Sequence, residues 1–212
     1  MKPKIIVFAS GSKDGGGSGF ENLFKSQELD ADIVAVVSNH EYGGVRTRAE
    51  KLGVPFEYFP GPFDAENYRR IVENYGAKWI ALSGWLKLVA GLDPTRTFNI
   101  HPALLSFQSG RFGGPGLFGH YVHEAVQQAL DAGEISESGP TMHFVTDEYD
   151  RGPIFFEYRV PLKKGMSADE IAVVVNRAEH EWQPKITNMV VHGEIRWDSS
   201  DPTSLVVPPD FT

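Results

Sequence analysis

Cysteine is absent from all 212 residues. Without it there is no disulfide, no thiolate ligand for a metal and no cysteine nucleophile. Basic residues are scarce as well: 20 Lys and Arg stand against 28 Asp and Glu, for a net charge of −8. No run of Lys or Arg builds the basic face with which proteins neutralise nucleic-acid phosphates, so no nucleic-acid partner is expected. Long apolar runs are missing too. The run at 5–9, after Met-Lys-Pro-Lys, is too short for a signal peptide or a membrane span. No membrane partner is expected either, and the chain reads as soluble and cytoplasmic. What is present is the composition of a folded domain, 41% apolar and 12% aromatic, with enough chain for a sizeable core.

The first hundred residues alternate strand and helix signals. Residues 4–10 (KIIVFAS) form a continuous apolar run closed by Gly11, the pattern of a strand buried on both faces. Further strands are expected at 32–39, 56–59 and 78–84, and helices at 20–27, 46–52 and 65–75, the last two stopped by Gly53 and Gly76. This rhythm specifies an α/β fold: a Rossmann-like, mostly parallel sheet with right-handed crossovers, whose ligands gather at the carboxyl ends of the strands. The second half differs. An extended piece at 98–101 runs into Pro102, a glycine-rich loop covers 108–119, and a helix covers 120–132. Strand-like segments at 141–145 and 154–160 flank a turn at 147–153 and form an antiparallel extension. Ser167 and Glu170 make a capping-box pattern that opens a last helix, with Ile171, Val174, Val175, Ala178 and Trp182 as its apolar stripe. The chain reads as one domain, 1–212, in two lobes (1–98 and 99–212) that share a sheet and meet near residue 100, where a site is expected.

Glycines at 11–19 let backbone N–H groups approach an anion, while the following helix adds its positive end. Two known signatures fail there. Gly11 and Gly16 have P-loop spacing, but Gly17 stands where the lysine belongs, and Phe20 stands where a dinucleotide fingerprint needs its third glycine. A phosphate cradle of neither type, with Ser18 adding a hydroxyl, competes with a plain surface turn. At Asn99-Ile-His101, strand alternation puts amide and imidazole on one face. That pairing suits a carbonyl oxygen that becomes negative, with a protonated imidazole as donor; a capping Asn and a satisfied core histidine is the plainer account. Asp147 and Asp150 bracket a turn; either could reach a neighbouring histidine, raising its pKa and fixing its tautomer, or serve only as a turn former. His143 reads as a packed strand histidine. Asn176 and Glu179 lie beside the stripe of the last helix, lining a cleft or forming a solvated flank. No His, Asp and Glu spacing matches a metal site, and no Gly-x-Ser-x-Gly supports a serine triad.

Taken together, the pieces resemble the phosphoribosylglycinamide formyltransferases, a family of folate-dependent enzymes of purine biosynthesis, over nearly the whole chain. The likeness is carried by the glycine-serine loop, Val37-Ser-Asn39, Leu82-Ser-Gly-Trp-Leu-Lys-Leu88, Asn99-Ile-His-Pro-Ala-Leu-Leu105, His143-Phe-Val-Thr-Asp-Glu-Tyr-Asp150 and Glu179-His180. The resemblance implies transfer of a formyl group from 10-formyltetrahydrofolate, as cosubstrate, to the amine of glycinamide ribonucleotide, with no metal. It implies that Asn99 and His101 stabilise the oxyanion and that Asp150 holds His101 or a bridging water. It places the substrate-phosphate loop at Gly17, Ser18 and Gly19, in the first lobe, and substrate contacts at Glu179 and Asn176. Leu86, Lys87, Leu88 and Val89 would border the folate, with Thr146 and Asp147 in the opposite wall and Asn99 within reach.

Three features depart from the family pattern and bear on substrate more than on chemistry. Gly17-Ser18-Gly19 replaces Gly-Ser-Asn, Ser106 replaces a proline ahead of a longer glycine-rich segment at 107–119, and Ala65 stands where the third helix opens with arginine. Competing readings are a formyltransferase for another amine such as a nucleotide sugar, a formyltetrahydrofolate hydrolase, and a non-catalytic nucleotide- or folate-binding protein. The extra N-terminal domain of such hydrolases and the basic C-terminal domain of the methionyl-tRNA enzyme are not expected here. Partners are expected to be small molecules, with the chain a monomer or homodimer.

Overall fold

The computed structural model describes residues 1–13 and 15–209. Asp14, within the glycine-rich stretch, and residues 210–212, the end of the second expected lobe, lie outside the described residues. β1 (Lys4–Phe8), β2 (Asp32–Ser38), β3 (Phe56–Tyr58), β4 (Trp79–Ser83) and β5 (Thr97–His101) run parallel in the spatial order β3-β2-β1-β4-β5. Four strands follow in the chain: β6 (Glu137–Ser138), β7 (Thr141–Phe144), β8 (Ile154–Glu157) and β9 (Val160–Pro161). β7 pairs antiparallel with β5 and β8 with β7, completing a seven-stranded sheet. The fold is thus α/β, Rossmann-like and mostly parallel, with the antiparallel extension where it was expected.

Helices α1 (Ser18–Lys25), α2 (Gly44–Leu52), α3 (Ala65–Asn74), α4 (His120–Asp131) and α5 (Ala168–Val191) cover the sheet. The apolar run of β1 explains the layering. Ile5 and Val7 point to one face, against Phe20 and Leu23 of α1, Val45 and Ala49 of α2 and Ile186 of α5. Ile6 and Phe8 point to the other, against Tyr68 and Ile71 of α3 and Trp85. All four β1 side chains are fully buried, each stabilising the fold by roughly 1.5–3 kcal/mol. α4 packs on the N-terminal half of α5 through Val122, Val126, Ile171 and Val175. Among the described residues no helix is long and apolar enough to cross a membrane.

Every strand and helix expected in the first half is present to within two residues at each end. A boundary at 98–99 falls inside β5, so the two halves share that strand as well as the core that Ile186 of α5 joins. The capping box of α5 forms as expected, with Glu170 N donating to Ser167 Oγ at 3.3 Å and Ser167 N to Glu170 Oε2 at 2.8 Å. In the apolar stripe, Ile171, Val175 and Ala178 are buried, whereas Val174 and Trp182 are only half-buried. α5 then runs on through Pro184 for 24 residues in all. The strand expected at 154–160 divides in two, and β9 pairs instead with β6 in a separate ribbon. The division falls where Gly139 comes so close to the Tyr158 carbonyl that a Cβ there would sit 1.8 Å from its oxygen.

Candidate active site

β5 carries Asn99 and His101 to the carboxyl edge of the parallel sheet, and the β7–β8 turn brings Asp150 over them. Asp150 adopts a left-handed φ of 53°, a conformation that Asp tolerates better than most residues. Its Oδ1 lies 3.4 Å from Asn99 Nδ2, 3.7 Å from His101 Nδ1 and 3.5 Å from His143 Nε2. Its Oδ2 accepts the Gly114 N–H at 2.9 Å. Burial works to raise the Asp150 pKa, but the adjoining imidazoles, His143 ahead of His101, and the Gly114 N–H outweigh it and hold the carboxyl at about 2.

The imidazoles have defined tautomers because each faces a carbonyl, which can only accept. His101 Nε2 is 2.7 Å from the Phe112 carbonyl oxygen and therefore carries the hydrogen, leaving Nδ1 open toward Asp150. His143 Nδ1 donates to the Phe144 carbonyl at 2.8 Å, so its Nε2 accepts from Asn99 Nδ2 at 3.2 Å. One amide hydrogen of Asn99 is thereby committed to the protein. Burial lowers the His101 pKa, with Asp150 and the Phe112 carbonyl opposing. The resting imidazole is thus neutral and its Nε2–H engaged, whereas the sequence chemistry expected a protonated donor. Donation to a new oxyanion requires a proton gained at Nδ1 or release of Phe112.

A cleft of about 680 Å³ opens beside this cluster, a volume suited to a small-molecule ligand. Its far end is formed by Gly16, Gly17, Ser18 and Gly19, where Gly17 caps α1 with a φ of 80° and no side-chain cap. The N–H groups of Ser18, Gly19 and Phe20 precede the first helical hydrogen bond, from Glu21 N to Gly17 O, and point out of the helix end. α5 contributes Asn176, Glu179, His180 and Gln183 along one wall. Asn176 Nδ2 donates to Glu179 Oε2 at 3.1 Å, yet burial dominates and pushes the Glu179 carboxyl up to about 7. Among the described residues no Lys or Arg lines the cleft. Among the described residues no group of three His, Asp or Glu side chains is disposed to hold a metal ion.

The family model for formyl transferases matches residues 3–187. This chain belongs to the formyl transferase family. It is 33% identical over 210 residues to the chloroplastic phosphoribosylglycinamide formyltransferase of Arabidopsis thaliana, covering 92% of this chain and 68% of that protein. It is 29% identical to the Escherichia coli phosphoribosylglycinamide formyltransferase, covering 91% of this chain and 89% of the other. Glycinamide ribonucleotide transformylase 1 from Symbiobacterium toebii superposes with a TM-score of 0.77 at 27% identity, over 93% of this chain and 92% of that one. The resemblance read from the motifs is upheld, and the chain is an enzyme of one-carbon group transfer.

In this formyl transferase, Asn99, His101 and Asp150 converge, and Gly17, Ser18, Gly19, Asn176 and Glu179 line the same cleft. The segment expected to border folate is divided. Leu86 faces the main cleft, while Val89, Thr146 and Asp147 line a second cavity of about 430 Å³ together with Trp197. Lys87 and Leu88 line neither; the Lys87 ammonium lies 5.4 Å from the Phe63 ring centre, and the Leu88 carbonyl accepts from Tyr68 Oη at 3.0 Å. Ser106 uses what a proline lacks: its N–H and its hydroxyl both donate to the Glu157 carboxylate, at 2.9 and 2.5 Å. Ala65 lies so close to Gly91 that a Cβ on Gly91 would be 2.3 Å from its own.

Several residues in and beside the cleft escaped sequence reasoning. His143 is packed, as expected, but it also touches Asn99 and Asp150. The signal was the strand pairing that sets Asn99 opposite His143. His123 of α4 is buried with its Nδ1 unpartnered, and burial, with His120 and His101 nearby, takes its pKa down to about 4. Ser83 and Gln183 line the glycine end as well; Ser83 stands inside the Leu82–Leu88 motif with no role read for it, and Gln183 lies in no motif.

Proposed function

We propose that this enzyme transfers the formyl group of 10-formyltetrahydrofolate to the amine of glycinamide ribonucleotide, in the cytoplasm and in the service of purine biosynthesis. The observation that carries the reading is the shape of one continuous cleft: an anion cradle with no Lys or Arg among the described lining residues at one end, and buried His101 with half-buried Asn99 and Asp150 at the other. The acceptor's phosphate would rest at Gly17–Ser18–Gly19, with Glu179 and Asn176 toward its sugar, so that its amine reaches the buried cluster. Leu86 would border the donor's pterin from within this cleft, with Val89, Thr146 and Asp147 outside it around the neighbouring cavity.

In this reading the amine nitrogen attacks the formyl carbon, forming a C–N bond and leaving the carbonyl oxygen negative. Asn99 Nδ2, held in place by His143, would donate to that oxygen. The bond from the formyl carbon to N10 then breaks, and one proton moves in net from the attacking nitrogen to N10. Nδ1 of His101 and the carboxylate of Asp150 are the acceptors available for it on the way. Their 3.7 Å separation is one that a water bridges more readily than a direct hydrogen bond. Asp150, ionised above about pH 2, stabilises the imidazolium once His101 has gained the proton.

The test mixes protein with 10-formyltetrahydrofolate and follows release of the deformylated folate with and without glycinamide ribonucleotide. Ribonucleotide-dependent release is expected. Equal release in both tubes would replace this reading with hydrolysis, and no release in either would send the search to other amine acceptors.

A further inference from the structure

Gly19 lies in the first turn of α1 and its φ is not positive, so no backbone conformation requires a glycine there. Space does. A Cβ on Gly19 would sit 2.2 Å from Ser83 Oγ and 3.2 Å from Gln183 Oε1. The helix therefore gives up a side chain at this position, and two polar groups from elsewhere occupy the room, one from the end of β4 and one from the middle of α5. Ser83 is 9% exposed and Gln183 only 2%, yet neither side chain has a hydrogen-bond partner among the described residues. Neither the Ser83 hydroxyl nor the Gln183 carboxamide is sealed off from the cleft, so a ligand there can reach both. Both groups face the same cleft end as the unpartnered N–H groups of Ser18, Gly19 and Phe20.

We infer that Ser83 and Gln183 are specificity-determining residues of an anion site at the N-terminus of α1, a site that takes a phosphate monoester carried on a sugar. The donor inventory suits that group. Three backbone N–H groups, the hydroxyls of Ser18 and Ser83 and the amide of Gln183 can meet the three terminal oxygens of a phosphate. The Gln183 amide presents either end because its last torsion is broad and two-fold. With no Lys or Arg among the described lining residues, recognition falls to neutral donors and the helix end. The inference rests on the proposed function in placing the acceptor's phosphate at this end.

Binding tests it without any formyl transfer. Ribose 5-phosphate and ribose are titrated calorimetrically into the full chain and into Ser83→Ala, Gln183→Leu and Gly19→Ala. The unaltered protein should bind ribose 5-phosphate at least tenfold more tightly than ribose. Ser83→Ala and Gln183→Leu should each weaken ribose 5-phosphate by about threefold to tenfold, the worth of one neutral hydrogen bond, and leave ribose unchanged. Gly19→Ala should weaken it too, and adding Ser83→Ala should bring no further loss, because the nearest Ser83 atom to the new methyl would then be Cβ at 3.6 Å. Thermal unfolding checks each variant, and if Gln183→Leu fails to fold, Ser83→Ala and the Gly19 pair carry the same expectation. Unchanged affinity in the folded variants, or equal binding of ribose and ribose 5-phosphate, overturns the inference. Absence of ribonucleotide-dependent formyl transfer with these affinities intact would overturn the proposed function and leave the anion site standing.

Discussion

At one end of the cleft, Gly16, Gly17 and the first turn of α1 present backbone N–H groups with neutral side chains around them. At the other, Asn99, His101 and His143 each place a nitrogen within 3.7 Å of a single oxygen of Asp150. The first end acts through geometry. Its donors do not titrate, and their directions depend on glycine dihedrals and on the space left at Gly19. The second end acts through burial, which keeps His101 neutral at rest while its neighbours keep Asp150 ionised. The two ends thus rest on different physics within one cleft, and each can be altered separately.

The largest effect is expected at the buried end. Asp150→Asn removes the charge that stabilises an imidazolium, and the single-turnover rate of formyl transfer should fall by about 10²–10⁴-fold. Ribonucleotide affinity, measured by calorimetry, should stay close to that of the parent; an equal loss in binding would show that the ends are not separable. Gly17→Val attacks the other end. Its φ of 80° and the Val45 Cα only 3.1 Å from a new Cβ put the cost at about 1–2 kcal/mol or more. Ribonucleotide binding should weaken by about tenfold, with folate binding retained.

Glu179 sharpens the comparison, since it is the one carboxyl along the α5 wall. Its pKa in the fold, about 7, lies above the ordinary 4.5, so the native state holds a proton there that the unfolded chain has already released. Stability from this group is full below about pH 4.5 and declines as pH rises through about 7. Urea midpoints of Glu179→Gln and the parent should therefore diverge between about pH 5 and about pH 8, with the variant losing less. The smallest effect is expected away from both ends. Ser167→Ala breaks the capping box of α5 and should cost about 1 kcal/mol, lowering the melting temperature by about 2–4 °C with turnover unchanged. A fall in turnover there would mean that the α5 wall is coupled to its own N-terminus.

Periodicity carried much of the design. The four consecutive apolar residues of β1, the capping box at Ser167 and the pairing of Asn99 with His101 on one strand face follow from spacings of one to four residues, and all are present in the fold. Features that join distant segments could not be read that way. His143 meets Asn99 only through the antiparallel register of β5 and β7. The tautomer of His101 depends on a carbonyl from the 107–119 loop, whose path the glycines leave open. The expected folate segment splits between two cavities because Val89 turns toward Thr146 and Trp197 and away from Leu86.

The family and the layered α/β fold were determined by the sequence alone, because local alternation and short motifs encode which faces are buried and which residue types stand at strand ends. The tertiary structure decided how the groups at those strand ends are set. A pKa of about 2 at Asp150 and about 7 at Glu179, and the exchange of a Gly19 side chain for Ser83 and Gln183, arise from burial and from contacts between segments up to 164 residues apart, from Gly19 to Gln183. Desolvation and close approach are properties of the packed molecule, and no stretch of chain carries them by itself.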